Sequence, residues 1–410
     1  MEVKTAIKKQ RLTTTMEETL TSPPLPTLSF DLIEEILYRL PVKSLIQFQC
    51  VCKSWKSLIS DDPKFAKKHL HMSITSPRQS RHHLIVNFNC SSCNGKFWDS
   101  PISSVFEAAT DDYIAQTKLC YPSILKFGSF KAVGSCHGIL CIATQDYFVF
   151  WNPSVGQFNI SQPPLDYYYN IIVYGFGYDH LIDNYKVVVV YCYDSESDSS
   201  DEDNGDDDEG FSKTQVMVHT LGTDGWRRIH EFPYSVIPFG EWGKFVGGAI
   251  NWLASEDGSE FSYSFSIVSL DLGNESYQEI LQPDYGEVNV VSLTLGVLRD
   301  CLCIFAHGES FIDVWIMKEY GKKESWNKLF TVPFIEDLGF YPVIKVAYIY
   351  EDEQVLLVSR DALKPKLVVY DYRSDTFKLP EIENIDAAIV PTVYVESLIS
   401  PCGMQTLAVT

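Results

Sequence analysis

Residues 28–70 of this chain carry three helical patterns in succession, which is more apolar surface than so short a segment can bury. Ser29 stands where the first helix would be capped, and Pro41 stands where it would end. Domains of about 40 residues rarely fold without a metal, a disulfide or a partner, so we expect part of this surface to dock onto another protein. The three apolar sets recur at helical spacing: Leu32, Ile33, Ile36, Leu37 and Leu40; Val42, Leu45, Ile46 and Phe48; Val51, Trp55, Leu58 and Ile59.

The same segment resembles the F-box, the module that joins a substrate receptor to the Skp-type adaptor of an SCF ubiquitin ligase. The stretch RLPVKSL followed by CVCKSWKSLIS is close to the plant form. The resemblance departs at Ser29, where the family usually has proline, but both residues favour a helix start. For any single residue, the alternative role is packing between the three helices. The resemblance implies these adaptor contacts: Leu28, Pro41, Leu45, Val51, Cys52 and Trp55.

Length and charge limit what the rest of the chain can do. A chain of 410 residues suits a short module followed by a large domain of about 300 residues. No apolar run approaches the ~20 residues of a membrane span, and the first residues lack the apolar core of a signal peptide. We therefore expect a cytoplasmic or nuclear protein that does not bind a membrane. The net charge of −21 argues against a nucleic-acid partner, because such binding neutralises phosphates with Lys and Arg.

The cysteines do not indicate a disulfide framework or a metal site. Their number is odd, 11, and they are scattered along the chain, which suits reduced thiols used as small core residues. Cys90 and Cys93 form a CxxC pair, but no second Cys or His pair stands nearby at zinc spacing. We expect no metal and no cofactor.

From residue 84 onward, short β-rich runs alternate with Gly, Asn, Asp and Pro, which is typical of an all-β domain. The runs recur in units of roughly 50 residues, the period of propeller blades. LIVNF at 84–88 and VYVESLIS at 393–400 are expected to share one further blade, because an open ring would leave edges free to aggregate. Five units end in a strand, a polar turn and a returning strand: those beginning at Phe148, Val216, Ser266, Ile312 and Leu367.

GSCHGILC, WNPS, GFGYD, YKVV and GGAINWLA follow one another in this part of the chain. In that order they resemble the F-box-associated, kelch-like propeller domain of plant F-box proteins. The resemblance covers nearly all of residues 84–400. We therefore predict an α+β multidomain protein in which a short three-helix F-box precedes a large all-β propeller of six blades. The predicted divisions are a tail at 1–26, the F-box at 27–72, a linker at 73–83 and the propeller at 84–402.

No group of residues makes a case for catalysis, so we predict a protein that is not an enzyme. Cys136 and His137 are adjacent, but neighbouring strand residues point to opposite faces and no third orienting group is evident. We interpret them as a blade-entry turn beside a core cysteine. Gly175 and Gly177 lack the third glycine and the helix of a dinucleotide loop, and are better explained as strand glycines at a crowded point near the axis.

An acidic insert, DSESDSSDEDNGDDDEG at 194–210, holds ten acidic residues and no basic one, so we expect a disordered loop. It separates the second and third strands of a blade, and loops at that position open on the same face as the inter-blade loops. Aromatic residues of those loops are predicted to bind a target, although packing between blades is the alternative. They are Tyr167, Tyr168, Tyr169, Phe239, Trp242 and Tyr341.

The sequence and the two resemblances together favour a non-catalytic substrate receptor of an SCF-type ubiquitin ligase. The F-box would bind a Skp-type adaptor and, through it, a cullin scaffold. The propeller would present a loop face to a target protein, and the acidic insert suggests a target of basic character. Two alternatives stay open. One is an F-box scaffold or decoy that causes no turnover, and the other is a propeller that binds a glycan or small molecule through its aromatic rim.

Overall fold

A computed structural model describes the chain in two parts, an N-terminal helical module and a β-propeller. It covers residues 28–75, 81–90, 93–109, 112–126, 130–164, 171–193, 213–233, 237–238, 242–255, 265–287, 289–333, 343–350, 354–360, 366–381 and 389–402.

The helical module, residues 28–75, has four helices where the sequence pattern predicted three. The additional helix follows Asp62, whose carboxylate accepts hydrogen bonds from the backbone N–H groups of Lys64 and Phe65. Because this helix extends to Thr75 and the first strand begins at His82, the connection is shorter than the predicted linker at 73–83. The helices are α1 (Phe30–Leu37), α2 (Val42–Phe48), α3 (Lys53–Asp61) and α4 (Pro63–Thr75).

The ends of α1 differ in detail from the prediction. Ser29 does occupy the N-cap position, but its side chain makes no capping bond; its carbonyl accepts from the N–H groups of Leu32 and Ile33. The helix ends at Leu37, before the predicted stop, and Pro41 caps the start of α2 instead. Proline suits that position because it fixes the backbone just outside a helix start.

The strands of the propeller form six sheets, the blades, of which five are four-stranded and one is five-stranded. A short helix, α5 (Ile102–Glu107), packs its apolar side between the first and last blades. The first three blades, from the axis outward, are as follows. Blade 1 has β25 (Ile389–Val395), β1 (His82–Cys90), β2 (Cys93–Pro101) and β3 (Thr117–Lys118); blade 2 has β4 (Phe130–Cys136), β5 (Ile139–Thr144), β6 (Phe148–Asn152) and β7 (Gln157–Ser161); blade 3 has β8 (Ile171–Asp179), β9 (Asn184–Tyr193), β10 (Lys213–Thr220) and β11 (Trp226–Arg228).

The remaining blades repeat this plan, and all five predicted outer hairpins are present. In blade 4 the innermost position is shared by two short strands that pair with different parts of β14. Blade 4 has β12 (Ile237–Pro238), β13 (Lys244–Val246), β14 (Ala249–Ser255), β15 (Ser266–Asp271) and β16 (Tyr277–Ile280); blade 5 has β17 (Ser292–Leu298), β18 (Cys301–His307), β19 (Phe311–Met317) and β20 (Trp326–Pro333); blade 6 has β21 (Val343–Tyr350), β22 (Gln354–Arg360), β23 (Lys366–Asp371) and β24 (Thr376–Lys378).

The last strand of the chain closes the ring. β25 pairs antiparallel with β1 from Phe88↔Ile389 to His82↔Val395 and becomes the innermost strand of blade 1. The innermost strands of successive blades then touch one another all the way round the axis. The predicted closure of the ring, in a blade shared by the first and last strands, is therefore confirmed, and it removes the free edges that an open sheet would expose.

The propeller core consists of six apolar layers, one between each pair of neighbouring blades. The run KVVVV in β9 shows how the sequence builds them. Val187 and Val189 pack toward blade 2, whereas Val188 and Val190 pack toward blade 4. Because side chains alternate along a strand and both faces are buried, such strands appear as continuous apolar runs.

The blade order also determines which loops share an end of the propeller. Turns between first and second strands, and between third and fourth strands, lie at one end, which we call the module end. The helical module packs there: Val155, Leu398 and Ile399 join its apolar core, and Lys67 on α4 pairs with Asp183. Loops between second and third strands, and between blades, lie at the other end, which we call the distal end. The insert between β9 and β10 is attached there.

Candidate protein-binding surfaces

The helical module exposes a group of large apolar side chains, which we call the apolar helical surface. Leu28 is exposed two residues before α1 begins, and Leu32 and Ile36 lie one turn apart on the outside of that helix. Their exposed fractions are 58%, 54% and 49%, values unusual for leucine and isoleucine in a group this dense. The complete surface consists of Leu28, Phe30, Leu32, Ile36, Ile46 and Val51.

The six predicted adaptor contacts divide into three groups. Leu28, Pro41, Val51 and Cys52 are exposed. Trp55 is half-buried, and its ring and that of Phe48 pack edge to face with centroids 5.7 Å apart.

Leu45 differs from the other five, because it is fully buried in the core of the helical module. Its neighbours there include Leu37, Val42 and Phe65. In this conformation its side chain is not available to a partner, and it follows the alternative role of packing between helices.

Four residues of the apolar helical surface were missing from the predicted contacts: Phe30, Leu32, Ile36 and Ile46. The signal was present in α1, where the apolar residues cover more than one helical face. Leu37 points into the module core and Ile33 is partly buried against it, whereas Leu32 and Ile36 point outward. An apolar stripe wider than one helical face leaves residues exposed once the core is packed.

Charged side chains connect α1 with α4. Lys68 on α4 donates to Glu35 on α1, with 2.7 Å between Nζ and Oε1, and its ammonium lies 4.2 Å from the centre of the Tyr38 ring. The hydrogen bond and charge of Lys68 lower the pKa of Glu35. These contacts are solvent-exposed, so they orient the helices more than they stabilise them.

At the distal end, the predicted target residues are only partly described. Trp242 is half-buried, with its ring centroid 5.0 Å from that of Tyr174 and the Lys131 ammonium 5.1 Å from the centre of the indole. It therefore combines packing between blades with a partly exposed ring. The other five, Tyr167, Tyr168, Tyr169, Phe239 and Tyr341, and the insert at 194–210 lie outside the described residues.

The residues considered for chemistry have structural roles. Cys136 is buried in the layer between blades 2 and 3, and burial raises the pKa of its thiol. His137, at φ 52°, and Gly138 form the turn from β4 to β5, as predicted, and His137 Nδ1 faces the Tyr185 hydroxyl at 3.2 Å. An added Cβ at Gly177 would lie 2.2 Å from the Phe245 ring, which confirms the crowding near the axis.

Within the described part of the chain, no three His, Cys, Asp or Glu side chains are arranged to hold a metal ion. In the same part, no helix is both long and apolar enough to cross a membrane.

Comparison with known proteins agrees with this architecture. The F-box domain matches residues 25–67, and the F-box associated beta propeller domain matches residues 102–401. The second match covers most of the chain, so the chain belongs to the F-box associated beta propeller family and combines an F-box with a six-bladed propeller. Both predicted resemblances are confirmed.

Relatives in the plant Arabidopsis thaliana align with most of the chain. An F-box/kelch-repeat protein is 29% identical and aligns over 91% of this chain and 96% of its own length. The F-box protein CPR1 is 25% identical over 92% of this chain and 89% of its own length. Among solved structures, TolB from Acinetobacter baumannii is 10% identical with a TM-score of 0.44, over 79% of this chain and 70% of that chain. At that level the structural likeness carries no argument.

Proposed function

We propose that this protein is a non-catalytic substrate receptor of an SCF-type ubiquitin ligase. The observation that carries the proposal is the apolar helical surface, because six large apolar side chains stand exposed within residues 28–51 of a module whose own core is already filled. A Skp-type adaptor, linked in turn to a cullin scaffold, is the partner that an F-box implies. Burial of an apolar side chain of this size stabilises a complex by about 1.5–3 kcal/mol.

In this function the chain only has to bring the adaptor and the target close together. A receptor that holds adaptor and target at once raises the local concentration of target lysines near the ubiquitin thioester, and it needs no reactive group of its own. The buried Cys136, whose thiol pKa is raised, and the turn geometry of His137 agree with that role. We infer that the protein works in the cytoplasm or nucleus.

We further propose that the distal end binds the target. The helical module occupies the module end through Leu398 and the Lys67–Asp183 pair, so its four described helices do not cover the opposite end of the propeller. Trp242 offers a partly exposed aromatic ring there, and the acidic insert is attached between β9 and β10 at the same end. Because the insert carries ten acidic residues and no basic one, we expect a target surface of basic character.

The adaptor proposal is tested with the double variant Leu32→Glu and Ile36→Glu in the full chain. Both residues are about half exposed, so the module should fold and melt as the wild type does. Titration with purified adaptor should show at least a ~100-fold loss of affinity, because two apolar contacts are lost and two charges would be desolvated.

A matched control places the same charges on the propeller, at Leu281 and Val291, which are 57% and 52% exposed. Leu281→Glu with Val291→Glu should leave adaptor affinity unchanged. Wild-type affinity in the Leu32/Ile36 variant would disprove the assignment of this surface.

The target proposal is tested by replacing residues 194–209 with a neutral Gly/Ser linker of equal length. Candidate targets are first identified as proteins that co-purify with the chain and its adaptor. We expect slower association with the target and a weaker dependence on salt, since screening shortens to ~8 Å at physiological ionic strength. An unchanged rate and salt slope would identify the insert as a solubilising segment.

Two further outcomes distinguish the alternative functions. A target that binds but is not ubiquitinated by the reconstituted ligase would indicate a scaffold or decoy. Quenching of tryptophan fluorescence by a glycan or small molecule, with no protein target recovered, would favour a ligand-binding propeller.

A further inference from the structure

The chain continues past the closing strand as a segment that joins the two domains. β25 ends at Val395, and residues 396–402, which we call the C-terminal strap, then cross the module end of blade 2. The strap is anchored at its far end as well: Asn159 donates to the carbonyl of Pro401, and the Cys402 thiol donates to the carbonyl of Phe158.

Asn152, from the WNPS motif, holds the middle of the strap. Its side chain is 0% exposed, and its Nδ2 donates to the carbonyls of Ser397 and Ile399 at 3.0 and 2.8 Å. Its Oδ1 accepts from the N–H of Ser154 at 2.9 Å, which fixes the amide orientation. A buried amide with its donors and acceptor satisfied specifies one path for the chain that it contacts.

The GSCHG motif contacts the same point from the neighbouring turn. Ser397 Oγ donates to the carbonyl of His137 at 2.7 Å. Gly138 lies beside it at φ 85°, and an added Cβ would stand 2.4 Å from Ser397 Oγ. Glycine is required at this position both by the backbone conformation and by the close approach of the strap. The WNPS and GSCHG motifs therefore both contact Ser397.

The strap delivers one side chain into the core of the helical module. Leu398 is 8% exposed and belongs to the same buried cluster as Leu37, Leu45 and Phe65, with Val155 and Ile399 packed beside it. The module core is therefore completed by a residue more than 300 positions away in sequence. This accounts for how so short a bundle keeps a filled core while leaving other apolar residues exposed.

A second set of contacts ties α4 to the entry of the propeller. Arg81 is buried, and its Nη1 donates to His69 Nε2 at 2.6 Å and to Ser73 Oγ at 2.8 Å, both on α4. The carbonyl of Arg81 accepts from the N–H of Glu396 at 2.9 Å, at the start of the strap. Arg81, which directly precedes β1, and the strap are thus joined to each other, and each also contacts the helices.

We propose that the C-terminal strap is a docking device that orders and orients the F-box helices, and that the WNPS and GSCHG motifs serve to hold it. The helices are then not an independent module on a tether, because their packing depends on Leu398. If the proposed receptor function is correct, on which this consequence rests, the strap also fixes the direction of the adaptor surface relative to the distal end.

The proposal is tested by hydrogen exchange of the free full-length chain, read peptide by peptide. Leu398→Ala removes the inserted side chain, and Asn152→Ala releases the strap without touching the helical module. Both variants should speed exchange in α1 to α4 by about tenfold or more, while blades 4 and 5 keep wild-type protection. Leu398→Met, which conserves volume, should behave as the wild type.

The matched control is Leu253→Ala, at a leucine 6% exposed in the layer between blades 4 and 5. It should speed exchange in those blades and not in the helices. Unchanged helix exchange in both strap variants would overturn the proposal, and so would a change in Leu398→Ala alone, since Leu398 would then be only a core residue. The readout needs no adaptor, so a failure of the receptor function would be seen separately.

Discussion

The helical module exposes many of its large apolar side chains, whereas the propeller buries most of them. Among the described residues, fourteen large apolar side chains are exposed, and six of them fall within residues 28–51. The described part of the propeller, about five times as long, has seven of the remainder, and of these only Leu181 and Ile182 are neighbours in sequence. Its blades bury both faces of each sheet against neighbours, as Val187 to Val190 illustrate. Scattered exposed residues are ordinary, whereas a dense group indicates an interface.

The difference shows where each domain obtains its stability. Each blade packs on the next blade, and the pairing of β25 with β1 closes the ring. The strands of the propeller therefore bury their apolar side chains against one another. The helical module is too small for that and uses Leu398 from the propeller for its core. The apolar side chains that remain exposed on α1 and α2 are not part of this core. They are therefore available to contact a partner.

The largest effect should come from opening the ring. Deleting residues 390–410 removes nearly all of β25 together with the strap, so β1 loses its pairing partner and the helices lose Leu398. We expect insoluble protein, because an unpaired edge and an uncovered apolar layer promote aggregation. Deleting only residues 403–410 is the control and should give soluble protein with a wild-type melting profile. A soluble, cooperatively melting 390–410 deletion would show that the closing strand is dispensable.

A large but local effect is expected inside the propeller at Lys186. Its ammonium is buried between blades 3 and 4, 2.7 Å from Asp179 Oδ2, 2.9 Å from Glu275 Oε1 and 2.6 Å from the carbonyl of Leu272. Lys186→Met leaves Asp179, which is 1% exposed, without its cation, and should lower the free energy of unfolding by about 3–5 kcal/mol.

Chemical denaturation measures that loss. Lys322→Met is the matched control, because Lys322 pairs with Glu319 on an exposed turn and its removal should cause no measurable change. Equal stability of the two variants would mean that the buried pair contributes no more than a surface one.

Most of the propeller could be predicted from its sequence, because strand periodicity and turn residues are local signals. The hairpins starting at Phe148 and Val216 were visible as apolar runs that lead into a polar turn and a returning strand. The closing strand was accessible through the same signal together with the need to close a ring. Helix α4 was missed because its apolar positions, such as Phe65 and Leu70, are interspersed with three lysines and two histidines that weaken the pattern.

The binding surface was harder to predict, because periodicity identifies apolar faces without saying what covers them. Leu45 and Leu32 carry the same signal, yet one is 0% and the other 54% exposed. Leu45 is buried because α4 and Leu398 pack around the same core, and both lie elsewhere in the sequence. The role of Asn152 could not be predicted from the sequence either, since its hydrogen-bond partners are about 245 residues away.

Substitutions of Leu45 and Leu32 are expected to have effects of intermediate size. Leu45→Ala should lower the free energy of unfolding of the helical module by about 2–5 kcal/mol, because it leaves a cavity among packed side chains. Leu32→Ala should change stability by less than about 0.5 kcal/mol and instead weaken adaptor binding. Hydrogen exchange in α1 to α4, beside an adaptor titration, separates the two readouts. Equal destabilisation by both changes would mean that Leu32 belongs to the folding core.

The smallest effect is expected at the seam of the ring, where His83 on β1 lies between two carboxylates. Its Nδ1 is 2.9 Å from Asp99 Oδ2, and its Nε2 is 3.6 Å from Glu396 Oε1. The Tyr394 hydroxyl on β25 donates to the other oxygen of Asp99 at 3.0 Å. Burial alone would lower the pKa of His83, but the hydrogen bond with Asp99 and the charges of Asp99 and Glu396 raise it overall.

A raised pKa in the folded state means that the protonated imidazole stabilises the closed ring. That contribution is complete below the unfolded pKa of about 6.5 and is lost as the pH rises through the folded pKa. His83→Gln should therefore lower the melting temperature, by about 1–2 °C, at pH 5.5, and the gap to the wild type should close by pH 8.5. His71→Gln, on the exposed side of α4, is the control and should show no such trend. A gap that stays constant or widens with pH would mean that His83 stabilises the seam by packing against Tyr394, whose ring centroid is 5.7 Å away, and not by its charge.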